Sequence, residues 1–254
     1  GITMALEFTV RAIPNIPSVG PGGDLPQLIV DGLSSIGMVV QPDDILVVAQ
    51  KIVSKSEGRV VVLSEVTPSS FALHIAHTYG GDPQHIEVVL QESSRIVRMD
   101  RGILITETHH GFICANAGVD SSNSITPGSV CLLPVDPDAS ARNLQSGIAE
   151  ITGHRLGVII TDTFNRPWRL GTTNVAIGTA GVYPFSDYRG LRDSNGYEMH
   201  TSYAAFADEV SGAAELVMGK IDNMPAAIVR GLIYASQPDG AQQIRRSPEL
   251  DLFR

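Results

Sequence analysis

The sequence predicts an α/β fold of mixed sheets and helices, and two kinds of segment point to it. Residues 44–49 and 156–161 are short apolar runs rich in β-branched residues, as in strands covered on both faces. Around them, Leu25, Leu28, Ile29 and Leu33, and later Tyr203, Phe206, Ala207, Val210, Ala213, Ala214 and Val217, recur at helical spacing. Strands of the first kind need helices of the second kind to cover them. At 254 residues the chain is long for one average domain and short for two. Residues 4–254 are therefore expected to form one unit, at most two intimately packed subdomains. Gly1, Ile2 and Thr3 precede Met4 and read as a cleavage scar left by expression.

Taken in order, residues 6–13 alternate weakly and read as a strand, followed by a turn-rich loop containing Pro14, Pro17, Gly20, Pro21, Gly22 and Gly23. Asp24 is placed to cap the helix that carries Leu25 and Leu33. The buried strand 44–49 follows, bounded by Pro42 and by polar Gln50-Lys51. Thr67-Pro68 marks another helix start, with Phe71, Ala72 and Ile75 facing inward. Two short β-prone pieces, 102–106 and 129–134, flank a polar stretch that is long for a passive loop. A helix over 139–152 leads into the strand 156–161, which puts Asp162 just past a carboxyl end, where α/β sheets present ligand-binding groups. The helix over 203–217 precedes a last strand over 226–230, with no internal repeat and no clean linker.

The chain carries 18 Lys and Arg against 27 Asp and Glu, a net charge of −9, which argues against nucleic acid or an anionic membrane as the main partner. A small anionic substrate stays open, but it must meet a local basic cluster, and carboxylates facing it would act through a metal ion. No run reaches the ~18 apolar residues of a membrane span and no secretion signal is visible, so a cytoplasmic location is expected. Cys114 and Cys131 are too few for a disulfide scaffold and read as reduced, buried thiols.

Three segments hold residue types suited to chemistry. The run 50–59 places Lys51, Lys55 and Arg59 after a strand end; cations there can hold phosphates, although the spacing is not a Walker motif and reads equally as a solvated basic strand end. The run 109–123 embeds Asp120, a hard oxygen donor suited to Mg²⁺ or Mn²⁺, and Asn123, an amide able to read a nucleotide, among small residues. Residues 120–123 read equally as an Asx-turn, and adjacent His109 and His110 point different ways, which disfavours zinc. The run 161–169 joins Asp162, Thr163, Arg166 and Arg169, the makings of a metal-plus-phosphate site or of a structural salt-bridge cluster, with Trp168 a possible core anchor.

Read jointly, these segments resemble the coenzyme F420 γ-glutamyl ligase family. The matching pieces are Ile-Pro-Asn-Ile-Pro at 13–17, the lysine run at 51–59, His-Gly-Phe-Ile-Cys-Ala-Asn-Ala-Gly-Val-Asp-Ser-Ser-Asn at 110–123, Asp-Thr-Phe-Asn-Arg-Pro-Trp-Arg-Leu-Gly at 162–171, Val-Ala-Ile-Gly at 175–178, and the stretch 207–220. The resemblance implies a family-specific α/β fold in an intertwined homodimer that uses GTP to join L-glutamate to a deazaflavin precursor. It implies divalent ions, Mg²⁺ or Mn²⁺ and two in number, with K⁺ a further candidate. Asp120, Asp162 and Thr163 match metal positions. Lys55, Asn123, the turn Ile16-Pro17-Ser18-Val19 and Met218, Gly219 and Lys220 match nucleotide contacts, and Gln50 lies beside them. Arg166 and Arg169 would assist as cations. The sequence departs from the family pattern at Gln50, Asn165 and Thr172-Thr173-Asn174, where Asn174 replaces a carboxylate. A sister ligase with a folate-like acceptor, or a GTP-binding protein without turnover, are the competing expectations.

Overall fold

The computed structural model describes residues 6–121, 127–237 and 240–252. In chain order the elements are β1 (Thr9–Ala12), α1 (Leu25–Ser35), β2 (Ile45–Ala49), α2 (Gln50–Ser56), β3 (Val60–Val62), α3 (Ser70–Tyr79), α4 (Pro83–Gln91), β4 (Ser93–Asp100), β5 (Ile103–Thr108), β6 (Ile113–Ala115) and β7 (Ser129–Cys131). They continue with α5 (Pro137–Thr152), β8 (Gly157–Arg166), β9 (Arg169–Ala180), β10 (Ser186–Asp187), β11 (Tyr203–Ala204), α6 (Phe206–Met218) and β12 (Ala226–Arg230). Among the described residues no helix is long and apolar enough to cross a membrane.

A five-stranded sheet, ordered β1-β12-β2-β8-β9, organises the chain. β2 and β8 are parallel, while β12 runs antiparallel to both β1 and β2. The strand alternation explains its two covered faces. Leu46, Val48, Val158, Ile160 and Ile228 pack with Leu25, Ile29 and Leu33 of α1 and with Leu144 and Ile148 of α5. Ile45, Val47, Ile159 and Val229 point the other way, onto Phe206, Val210 and Ala214 of α6. A third core joins α3 and α4 to the strand pair β3-β7 and the three-stranded sheet β4-β5-β6 through Ile75, Ile86, Val89, Leu104 and Val130.

Local chemistry sets the boundaries. The Asp24 carboxylate accepts from the Gln27 N–H at 3.1 Å and starts α1, as expected. Asp136 does the same for α5, which stops at Gly153 in the left-handed region. The third helix begins two residues beyond Pro68, because the Ser69 hydroxyl caps it. α4, capped by Asp82 with Pro83 in its first turn, has no counterpart in the sequence expectation.

Several expectations are corrected. The polar exit of β2 is a helix, so Lys51 and Lys55 share one helical face rather than a solvated strand end. β8 does not stop at Thr161; it bulges there and continues to Arg166 in a hairpin with β9. Phe71 is exposed; Ala72 and Ile75 are buried in the core, with Ala76 partly buried against it. Tyr203 belongs to β11, and α6 begins at Phe206. Trp168 anchors no core: it sits at the hairpin turn with φ 59° and is 80% exposed. Cys114 and Cys131 are free and buried, as expected.

Candidate active site

Three strand ends meet at one edge of the large sheet: β1, β2 and the β2-paired part of β8 all finish there, and β12 begins there. The segments leaving or entering those ends surround a cavity of about 1000 Å³, large for a single small ligand. β1 supplies the turn Ile16-Pro17-Ser18-Val19, and β2 leads into Gln50, Lys51, Ile52 and Lys55 on α2. β8 brings Thr161, Asp162 and Thr163, opposite Asn174 of β9. The segment after β6 contributes Asp120, and the C-terminal end of α6 contributes Met218, Gly219 and Lys220.

Most of the residues expected at a shared site therefore line one cavity. Asn123 lies outside the described residues. Arg166 and Arg169 are not among the cavity-lining residues: they flank the hairpin turn, where Arg166 donates to the carbonyls of Leu170 at 2.7 Å and Gly171 at 3.3 Å. Continuation of β8 beyond Asp162 carries them away. Lys51, which the sequence offers among the phosphate-holding cations of the 50–59 run, lines the cavity one helical turn from Lys55, and Asn174, which the sequence marks only as a departure from the family pattern, lines it too. His110 is structural, its ring nitrogens meeting the Thr108 hydroxyl and the Pro134 carbonyl.

The cavity is electrostatically mixed in an acidic chain. The Lys51 ammonium lies 2.7 Å from Asp120. Lys220 bridges Glu215 and the Thr163 hydroxyl, each at 2.6 Å. Thr163 in turn donates to the side-chain carbonyl of Asn174 at 2.8 Å, and Glu215 accepts the Asn174 backbone N–H. Asn174 is thus tied to both β8 and α6. Lys55 is buried, and desolvation, reinforced by Lys51, lowers its pKa against the pull of Cys131 and Asp120. Ser54 donates to Gln50 at 2.8 Å and fixes the residue at the mouth of α2.

Asp162 is the most perturbed acid here. Burial, with the nearby Asp120 charge, pushes its carboxyl up to about 6 against the help of the Thr163 N–H, Lys51 and Lys220. A buried carboxyl whose ionisation is also opposed by a neighbouring acid is favoured by a cation nearby. Among the described residues no group of three or more His, Cys, Asp or Glu side chains forms a cage. Asp120, Asp162 and the Thr163 hydroxyl line the same cavity and offer hard oxygen atoms, the donor type that suits Mg²⁺ or Mn²⁺.

These features define an α/β protein with a strand-end cavity that pairs oxygen donors with lysines, a layout suited to an anionic substrate. The family described as F420-0:Gamma-glutamyl ligase matches residues 14–231, and the chain belongs to that family. It is 43% identical over 252 residues to the coenzyme F420:L-glutamate ligase of Methanothermobacter thermautotrophicus, covering 98% of this chain and all of that protein. The Methanopyrus kandleri protein of the same name is 44% identical over 250 residues, covering 96% of this chain and 97% of the relative. That of Archaeoglobus fulgidus is 39% identical over 250 residues, covering 98% and 97%.

Proposed function

We propose that this chain is a GTP-dependent ligase that joins L-glutamate in γ-linkage to the precursor of coenzyme F420. The observation that carries the reading is the meeting of Lys51, Lys55, Asp120, Asp162 and Lys220 around one cavity in a chain of this family. A free carboxylate is a poor acylating agent. The route that fits is attack of the acceptor's terminal carboxylate on the γ-phosphorus of GTP, giving an acyl phosphate and GDP. The glutamate amine then adds to the acyl carbon and phosphate leaves, with the amine's proton lost to solvent or a nearby base. No protein nucleophile is required, in keeping with a cavity lined by residues suited to binding and charge stabilisation.

Asp120, Asp162 and Thr163 would hold the divalent ions, which supply charge neutralisation at the phosphates when bound. Lys55 and Lys220 bind and orient phosphate oxygens, and the 16–19 turn with Met218 and Gly219 shapes the rest of the nucleotide site. A homodimer is part of the proposal; a light-scattering mass of one chain at micromolar concentration would count against it. The deciding test is turnover with GTP, Mn²⁺, L-glutamate and the deazaflavin acceptor, read by mass. One added glutamyl unit with stoichiometric GDP and phosphate supports the reading. No product, or product without nucleotide cleavage, overturns it. Because Asn174 stands in the cavity wall where the family pattern has an acid, a folate-like γ-glutamyl acceptor belongs in the same assay.

A further inference from the structure

A second cavity, of about 230 Å³, is lined in part by the same strands as the first. Phe164 of β8, Val175 of β9, Ile113 and Ile244 line it. The strand register ties it to the first site. Val175 is the direct cross-strand partner of Asp162, and Phe164 lies two residues along β8 from Asp162, about 7 Å by strand geometry. β6 is shared in the same way, with Ile113 on the small cavity and Ala115 on the large one.

Against these apolar walls stand four charged side chains, Arg245 and Arg246 with Asp208 and Asp251. Asp208 is committed to the sheet, accepting the Ala176 N–H at 2.9 Å. Arg245 lies across Gly111, where a Cβ would fall on its guanidinium, and it donates only weakly to the Gln242 carbonyl at 3.3 Å. Arg246 makes no hydrogen bond or ion pair among the described residues. Two arginines lining one small pocket with apolar walls match a ligand with two carboxylates and a short aliphatic body.

We propose that this second cavity is a binding site for an amino-acid-sized dicarboxylate, with Arg245 and Arg246 receiving its two carboxylates. It deepens the ligase reading, on which the identity of the ligand as free L-glutamate rests. An amide-forming enzyme must hold its amine beside the activated acyl group, and the cavity sits one strand register from Asp162.

The test is calorimetric titration of L-glutamate into the full chain with GTP and Mn²⁺ but no acceptor, beside L-glutamine, which lacks the second carboxylate. Glutamate should saturate one site and glutamine should bind about 10-fold more weakly or less. Arg245→Ala and Arg246→Ala should each weaken glutamate by about 10-fold or more while GTP titrates as in the parent. Arg246→Lys, which keeps the charge and loses the fork, should fall between and guards against a variant that fails to fold. In turnover the same variants should raise KM for glutamate and leave KM for GTP unchanged. Arginine variants that melt like the parent and bind glutamate equally well overturn the site, as does glutamine binding as tightly as glutamate. The two readings fail separately: glutamate bound through the arginines without extension of any acceptor leaves the cavity standing and removes the ligase, whereas turnover with an unaltered KM for glutamate does the reverse.

Discussion

Replacing Asp162 with Asn separates a cation site from a structural charge cluster. The carboxyl ionises near 3.8 in an unfolded chain and near 6 in the folded one. That rise corresponds to about 3 kcal/mol by which the fold disfavours the ionised form, an upper bound because water in the cavity screens it. The sign follows from linkage. Below pH 3.8 both states are protonated and the folded chain carries no penalty; as pH rises through 6 the advantage of holding the proton is lost. At pH 8, without metal, Asp162→Asn should therefore stabilise the chain by about 1–3 kcal/mol, or about 3–10 °C in melting temperature. At pH 4 the two proteins should melt nearly together. Saturating Mn²⁺ with GTP should then reverse the order, stabilising the parent while leaving the variant almost unmoved. Melting curves with chelator and with Mn²⁺ plus GTP, at both pH values, read all of this. The reasoning is refuted if the variant is less stable than the parent in chelator at pH 8, as a broken salt bridge requires, or if metal and nucleotide stabilise both proteins equally.

Lys55→Ala should weaken GTP by about 10- to 150-fold in calorimetric titration, since a charge-assisted hydrogen bond to phosphate contributes ~1.5–3 kcal/mol; unchanged affinity would make Lys55 a mere packing residue. Asp44→Ala removes the buried bidentate partner of Arg230, whose two nitrogens sit 2.7 and 2.8 Å away, and also the acceptor of the Gln41 N–H. It should cost about 3 kcal/mol of stability in urea unfolding. Because Asp44 lies at the opposite end of β2 from the cavity, GTP affinity of the folded variant should not change.

The central sheet was legible because its strands are apolar on both faces and short. Residues 226–230 are the strand the sequence predicts, and the runs 44–49 and 156–161 become the parallel pair β2 and β8. What escaped was set by tertiary context. Nothing in Thr161-Asp162-Thr163 announces that the strand continues, since the pairing that extends it comes from β9 after a bulge that skips Ile177. That continuation puts Arg166 and Arg169 at a hairpin turn and leaves Asp162 at the cavity. The helix at 50–56 was hidden by its length and by the absence of a side-chain cap. Burial of Lys55 depends on the wall formed by the chain near Cys131, 76 residues further on, and no local pattern encodes that. The site was recoverable mainly because separated segments match one family together.

The Lys51–Asp120 pair has a consequence for the order in which ligands load. At 2.7 Å, with side chains 22% and 34% exposed, Lys51 neutralises Asp120 before any divalent ion arrives. A cation binding at Asp120 must compete with that ammonium, so the parent gives up part of its metal affinity to keep the pair. Once displaced from Asp120, the Lys51 ammonium can turn to the phosphates of an incoming nucleotide in the same cavity. Metal and nucleotide binding should therefore be coupled through one side chain. In Lys51→Gln the competition disappears: Mn²⁺ alone should bind about fivefold more tightly, the equivalent of the ~1 kcal/mol a partly exposed ion pair contributes. GTP measured in saturating Mn²⁺ should bind more weakly than in the parent, since the released charge is missing. Titration of Mn²⁺ by electron paramagnetic resonance, without nucleotide, decides it. Metal affinity equal to or below that of the parent would show that Lys51 does not compete at Asp120, and that the ion, if it binds, takes a position that leaves the pair intact.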